Sequence, residues 1–116
     1  MSPARSSGAT TGSALRGAAV FAALGDDTRL LMVGRLSSGG PMSTTRLTSG
    51  SGVTRQAVTK HLEVLEGAGL VRGSRVGRER IWALEPQPLD EARRSIELIS
   101  RQWDRALGRL KALVER

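Results

Sequence analysis

The 116-residue sequence contains no cysteine, and that absence removes disulfides, thiolate metal ligands, thiol nucleophiles and cysteine-based redox sensing together. It contains one histidine, so a zinc ion would find a single imidazole and no thiolate. No nucleophile pattern accompanies that histidine and no glycine-rich phosphate loop is present, which leaves an enzyme without its usual parts and predicts no cofactor. No apolar run approaches the roughly 20 residues that a membrane-spanning helix needs, and the amino end lacks the apolar core of a signal peptide. The expectation is a soluble, cytoplasmic protein. What the chain does have is positive charge: 18 Lys and Arg against 11 Asp and Glu, a formal net charge of +7. Such a balance favours a polyanionic partner, with nucleic acid first and an anionic membrane surface second.

The length suits one domain. Residues 1–12 are Ser, Thr, Gly, Ala and Pro with a lone Arg5, too little apolar material to offset the entropy of ordering them, so a disordered tail is expected there and one folded domain over 13–116. From Ser13, the stretch SALRGAAVFAAL reads as a first helix that is apolar nearly all round. Asp26 and Asp27 then precede TRLLMVGRL, where carboxylates cap free amides, and a second helix is expected to about Leu36, stopping in SSGG. Pro41 and Met42 lead into STTRLTSGSG, a poor helix former whose only large apolar residue is Leu47; the strong helical pattern from Val53 onward argues for a short, weak helix here.

The segment VTRQAVTKHLEVLEGAGLV, Val53 to Val71, opens with a hydrophobic staple and a capping Thr54. Wound at about 100° per residue, it places Arg55, Gln56, Thr59, Lys60 and Glu63 on one arc. The opposite arc collects Ala57, Val58, His61, Leu62, Val64 and Leu65, and the helix should end at Gly67 or Gly69. Leu70 to Arg75 and Arg80 to Leu84 carry strand-type residues around Gly77 and read as a β-hairpin with a basic tip. Pro86 and Pro88 close the hairpin. Leu89 to Arg116 then forms one long helix in which Ala92, Ile96, Ile99, Trp103, Ala106, Leu110 and Leu113 recur at three- and four-residue steps, with Glu97 and Arg101 paired on its wet side.

A weak helix, a tight turn, a helix with a polar outward face and a basic hairpin have the order of a winged helix-turn-helix: mostly α, with helices flanking a two-stranded wing and a long C-terminal dimerisation helix. FAALGDDTRLLMVGRL, VTRQAVTKHLEVLEGAGLV and GRERIWAL together resemble the ArsR family of bacterial repressors, a likeness that runs from Ser13 to the carboxyl end. The resemblance implies a homodimer built on the first and last helices, with two recognition helices in successive major grooves of a roughly palindromic double-stranded DNA operator.

The side chains themselves point the same way. Arg and Gln make paired hydrogen bonds to guanine and adenine edges, so Thr54, Arg55, Gln56, Thr59 and Lys60 are the expected recognition-helix contacts. Arg75, Arg78 and Arg80 flank the hairpin tip, where cations can meet phosphates and release counterions; Arg72 lies deeper along its strand. Phe21, Ile96, Ile99, Trp103, Ala106, Leu110 and Leu113 are the expected dimer interface. His61 falls beside the apolar arc, in a packing or phosphate-contact role. Metal-sensing relatives carry a cysteine motif before the recognition helix, or Asp and His pairs on the last helix. Here TTRLTSG stands at the first place, and Asp90, Glu91, Glu97 and Asp104 are interleaved with arginines at the second, so no metal is expected and no residue pattern identifies a small-molecule effector. The alternative reading is a winged-helix module that docks protein or RNA, for which exposed aromatics would suit the outer arc better than Arg and Gln.

Overall fold

The computed structural model describes residues 17–115; the tail expected over 1–12 and the start of the first helix lie outside the described residues. Helix α1 occupies 17–24, turning Val20 and Ala23 inward and leaving Phe21 40% exposed. Helix α2, Asp27–Gly39, starts where expected because the Asp26 carboxylate accepts the Arg29 amide at 3.0 Å. It runs through the serines to Gly39 and stops at Gly40, whose φ of 75° suits a residue without Cβ.

The weak helix exists as α3, Thr44–Thr48, and tertiary contacts sustain it against poor propensity. Leu47 is wholly buried, the Thr44 hydroxyl accepts the Trp82 indole N–H at 2.9 Å, and Arg35 of α2 donates to the carbonyls of Leu47 and Arg46 at 2.9 and 3.0 Å. Those last two bonds satisfy carbonyls that a five-residue helix leaves open at its end. A turn with positive φ at Gly50 and Gly52 then delivers the chain to α4, Arg55–Gly67.

Helix α4 begins as the sequence suggests, with the Thr54 hydroxyl accepting the Ala57 amide at 3.1 Å. It ends in a Schellman motif: Leu70 N–H reaches Leu65 O, Gly69 N–H reaches Glu66 O, and Gly69 takes φ 79°. Val58, Leu62 and Leu65 are fully buried. Val64, expected on the apolar arc, is 46% exposed: it lies six residues from Val58, about 120° off the buried stripe at 100° per residue.

Strands β2, Val71–Val76, and β3, Glu79–Leu84, pair antiparallel through a two-residue turn with Gly77 at φ 64°. The expected two-stranded wing proves to be part of a three-stranded sheet, because β1, Met42–Ser43, pairs with β3 at Met42↔Trp82 and Ser43↔Ile81. Two residues are too few for a periodic signal, so the pairing is invisible in the sequence. It roots the wing beside the start of α3. Trp82 is wholly buried at this junction and belongs to the core, where α2 and α3 both meet β3.

Helix α5, Pro86–Val114, starts three residues earlier than expected. Pro86 and Pro88 sit in its first turn, where the missing N–H costs nothing. Glu97 pairs with Arg93 at 2.6 Å, one turn back, instead of with Arg101. Its 29 residues span about 43 Å at 1.5 Å per residue, and only Ala92 is buried.

Candidate nucleic-acid interface

The five residues expected to contact DNA on α4 divide by what their polar groups already do. Thr54 spends its oxygen on the cap, and the Thr59 hydroxyl donates to Arg55 O at 3.0 Å, leaving only its lone pairs outward. Arg55 is exposed and braced by one bond, from Nη1 to the Thr45 hydroxyl on α3 at 2.7 Å. Bracing matters, since a guanidinium held in one orientation loses less freedom when it binds. Gln56 and Lys60 are exposed and make no internal side-chain hydrogen bond among the described residues. These side chains share the amino-terminal turns of α4, where free amides also favour an anion. Thr45 has no periodic or compositional signature and became visible only when α3 and α4 were placed side by side.

On the wing, Arg75 and Arg78 are exposed and enter no ion pair among the described residues. Arg72 pairs with Glu85 at 3.2 Å. Arg80 differs from its neighbours: its guanidinium lies 4.3 Å from the Trp82 ring centroid and 3.3 Å from the Glu66 carboxylate. The structure therefore brings Arg75 and Arg78 together as open cations of the hairpin and sets Arg80 apart.

His61 joins α4 to the start of α2. Its Nδ1 lies 3.3 Å from Arg29 Nη1 and 3.9 Å from the Asp26 carboxylate, while Arg29 Nε donates to Ala23 O on α1. A guanidinium only donates, so the imidazole nitrogen facing it accepts. These contacts tie His61 to the start of α2 within its own chain. The Asp26 carboxyl is held below its ordinary range chiefly by the Arg29 backbone N–H, with the Arg29 charge adding to it against partial desolvation.

The expected interface residues of α5, Ile96, Ile99, Trp103, Ala106, Leu110 and Leu113, all lie exposed, and so does every residue from Arg93 to Glu115. Trp103 is 63% exposed and lines an open shallow depression with Ile99, Gln102 and Ala106. On the acidic positions of this helix, Asp90 is held below its ordinary range mainly by the hydrogen bond from Arg93, and it also bonds Arg94. Asp90 and Glu97 thus face arginines.

Residues 24–74 match the family model of a helix-turn-helix domain. The chain is 37% identical over 93 residues to the HTH-type transcriptional regulator Rv2034 of Mycobacterium tuberculosis, covering 80% of this chain and 83% of that protein. The solved structure of an ArsR-like transcriptional regulator from Rhodococcus sp. RHA1 superposes with a TM-score of 0.74 at 36% identity, covering 88% of this chain and 95% of that one. The solution structure of the homodimeric winged helix-turn-helix DNA-binding domain Mb0332 of Mycobacterium bovis superposes with a TM-score of 0.58, covering 84% of this chain and 83% of that one. At 21% identity, that last likeness bears on the fold alone.

Proposed function

Since the chain belongs to the ArsR family of winged helix-turn-helix transcriptional regulators, we propose that it is a homodimeric repressor that reads a roughly palindromic operator, with α4 in the major groove and the wing on the phosphates. The family is non-enzymatic. The observation that carries the proposal is the combination on one chain of Arg55, Gln56 and Lys60 exposed at the amino end of α4 with Arg75 and Arg78 exposed on the hairpin. Arg55 and Gln56 supply base-edge donors and acceptors; Lys60, Arg75 and Arg78 supply phosphate contacts without a base code; Thr54 and Thr59 shape the helix end and offer their remaining lone pairs. Repression results when the occupied operator overlaps a promoter.

Self-association rests on α5. A stripe of Ile96, Ile99, Trp103, Leu110 and Leu113, each more than half exposed, forfeits about 25 cal/mol for every Å² of apolar surface that pairing would cover. Phe21 on α1, 40% exposed, extends the same seam in this reading. Two-fold pairing presents recognition helices about 34 to 36 Å apart, one turn of DNA. No helix among the described residues is long and apolar enough to cross a membrane, and the proposed DNA partner supports a cytoplasmic location.

A gel-shift series with the DNA upstream of the chain's own coding sequence and a scrambled duplex of equal length, over several salt concentrations, tests the proposal. Preference for the upstream DNA that survives rising salt is the expected result. Equal binding to both duplexes would sink operator reading, and binding to neither at any salt concentration would turn the assignment to a module that docks protein or RNA.

A further inference from the structure

Of the arginines on the hairpin, Arg80 is the one the sequence groups with the tip and the structure ties to the root. Across the sheet, Arg80 faces Arg75 and Trp82 faces Gly73. The Arg80 guanidinium lies over Trp82, its carbon 4.3 Å from the ring centroid. In the last turn of α4, Glu66 then takes hold of both strands: Oε1 accepts from Arg80 Nη2 at 3.3 Å and Oε2 accepts the Gly73 backbone N–H at 3.1 Å. Gly73 makes room for this arrangement, since a Cβ there would stand 2.8 Å from Arg80 Nε and 2.8 Å from Trp82 Cζ3. One carboxylate, one ring and one missing side chain thus converge on a single guanidinium.

Each contact opposes the use of Arg80 on DNA. A carboxylate competes directly with a phosphate for the guanidinium, and the ring face holds the cation as well. Arg75 and Arg78 have no such rival among the described residues.

We propose that Glu66 is a positioning residue of the DNA interface that holds Arg80 on Trp82 and withholds it from the phosphates, so that Arg75 and Arg78 alone supply the hairpin's electrostatic contact. The wing is thereby tied to the carboxyl end of the helix whose amino end meets the DNA, and its cation count is set by a residue outside the wing. The inference rests on the proposed DNA-binding function.

The number of phosphates neutralised is read from the slope of log affinity against log salt, about 0.9 per contact on duplex DNA. A mixed-sequence DNA duplex serves as probe, so no operator need be known. Arg80→Met keeps an apolar stem over Trp82 and removes the charge; Glu66→Gln keeps an acceptor for the Gly73 amide and releases the guanidinium. Arg80→Met should leave the parental slope unchanged, Glu66→Gln should steepen it by about one unit, and the double variant should return to the parental value. A slope shallower by about one unit in Arg80→Met would show that Arg80 already touches a phosphate and would overturn the assignment. So would an unchanged slope in Glu66→Gln, or a steeper one that persists in the double variant. Thermal melts of the same samples establish that the variants are folded. A parent protein whose binding ignores salt would instead defeat the DNA-binding reading itself, an outcome separate from any shared by the variants alone.

Discussion

Helices α4 and α5 carry apolar stripes of the same spacing, and their surroundings are opposite. On α4, Val58, Leu62 and Leu65 are sealed inside the core of their own chain, while on α5 every side chain beyond Ala92 is exposed. The difference shows that an amphipathic period states that a helix needs a partner surface and is silent about where that surface lies. For α4 the partner is α2, α3 and the sheet, which fixes the polar face outward. For α5 the proposed partner is a second copy, and the stripe is then held in reserve for assembly.

The largest effect should come from reversing this difference on the assembly side. Trp103→Glu places a charge in the proposed seam and should produce monomers that keep weak binding to random DNA and lose operator preference, as sedimentation and operator binding on one sample would reveal. A variant that stays dimeric with full specificity would move the seam elsewhere, with the Phe21 helix next in line. The matching truncation on α4, Leu62→Ala, should instead cost about 2 to 5 kcal/mol of folding stability by opening a cavity in the sealed core, read by denaturant unfolding. A comparably large loss from Leu110→Ala in a monomeric background would erase the contrast, because an exposed leucine leaves no cavity.

Within the proposed DNA-facing surface the expected effects are smaller and differ in kind. Arg55→Ala or Gln56→Ala should reduce discrimination at particular operator positions by roughly 1 to 3 kcal/mol for each lost paired contact. Operator mutants ranked identically by parent and variants would remove α4 from base reading. Arg78→Ala should weaken specific and random DNA alike and lower the salt slope by about one unit. An unchanged slope would put Arg78 off the DNA.

The smallest effect is expected at the start of α2. The Asp26 carboxyl has its folded value lowered from 3.8, so its contribution to stability is present above that value and is lost as pH falls through the lower folded one. Asp26→Asn retains a capping oxygen and removes the titration. The stability gap between parent and variant should therefore be present near neutrality and close only in the acid range below 3.8. A gap that does not vary with pH would show that the charge on the cap is idle.

Local chemistry made much of this molecule legible. Asp26 and Thr54 announce helix starts because a side-chain oxygen one residue before a helix has free amides to satisfy, and both oxygens do so. The outward set Arg55, Gln56 and Lys60 comes from winding alone, as does the exposed stripe of α5. Where the sequence misled, the reason was in part tertiary and in part a local choice left open. Strand β1 exists because β3 runs beside it; Glu97 takes Arg93 over Arg101, two choices that spacing makes equal.

By itself, then, the sequence determined the order of the helices and the hairpin, the caps of α2 and α4 and the polar face of α4, because hydrogen-bond satisfaction and side-chain period act within a few residues. Tertiary structure decided which of the charged residues remain open. Thr45 steadies Arg55 from ten positions away, and Glu66 captures Arg80 from fourteen. Only packing α3 on α4, and α4 on the sheet, brings those partners within hydrogen-bond reach, and a guanidinium beside a carboxylate and a tryptophan face is a different reagent from one that projects into water.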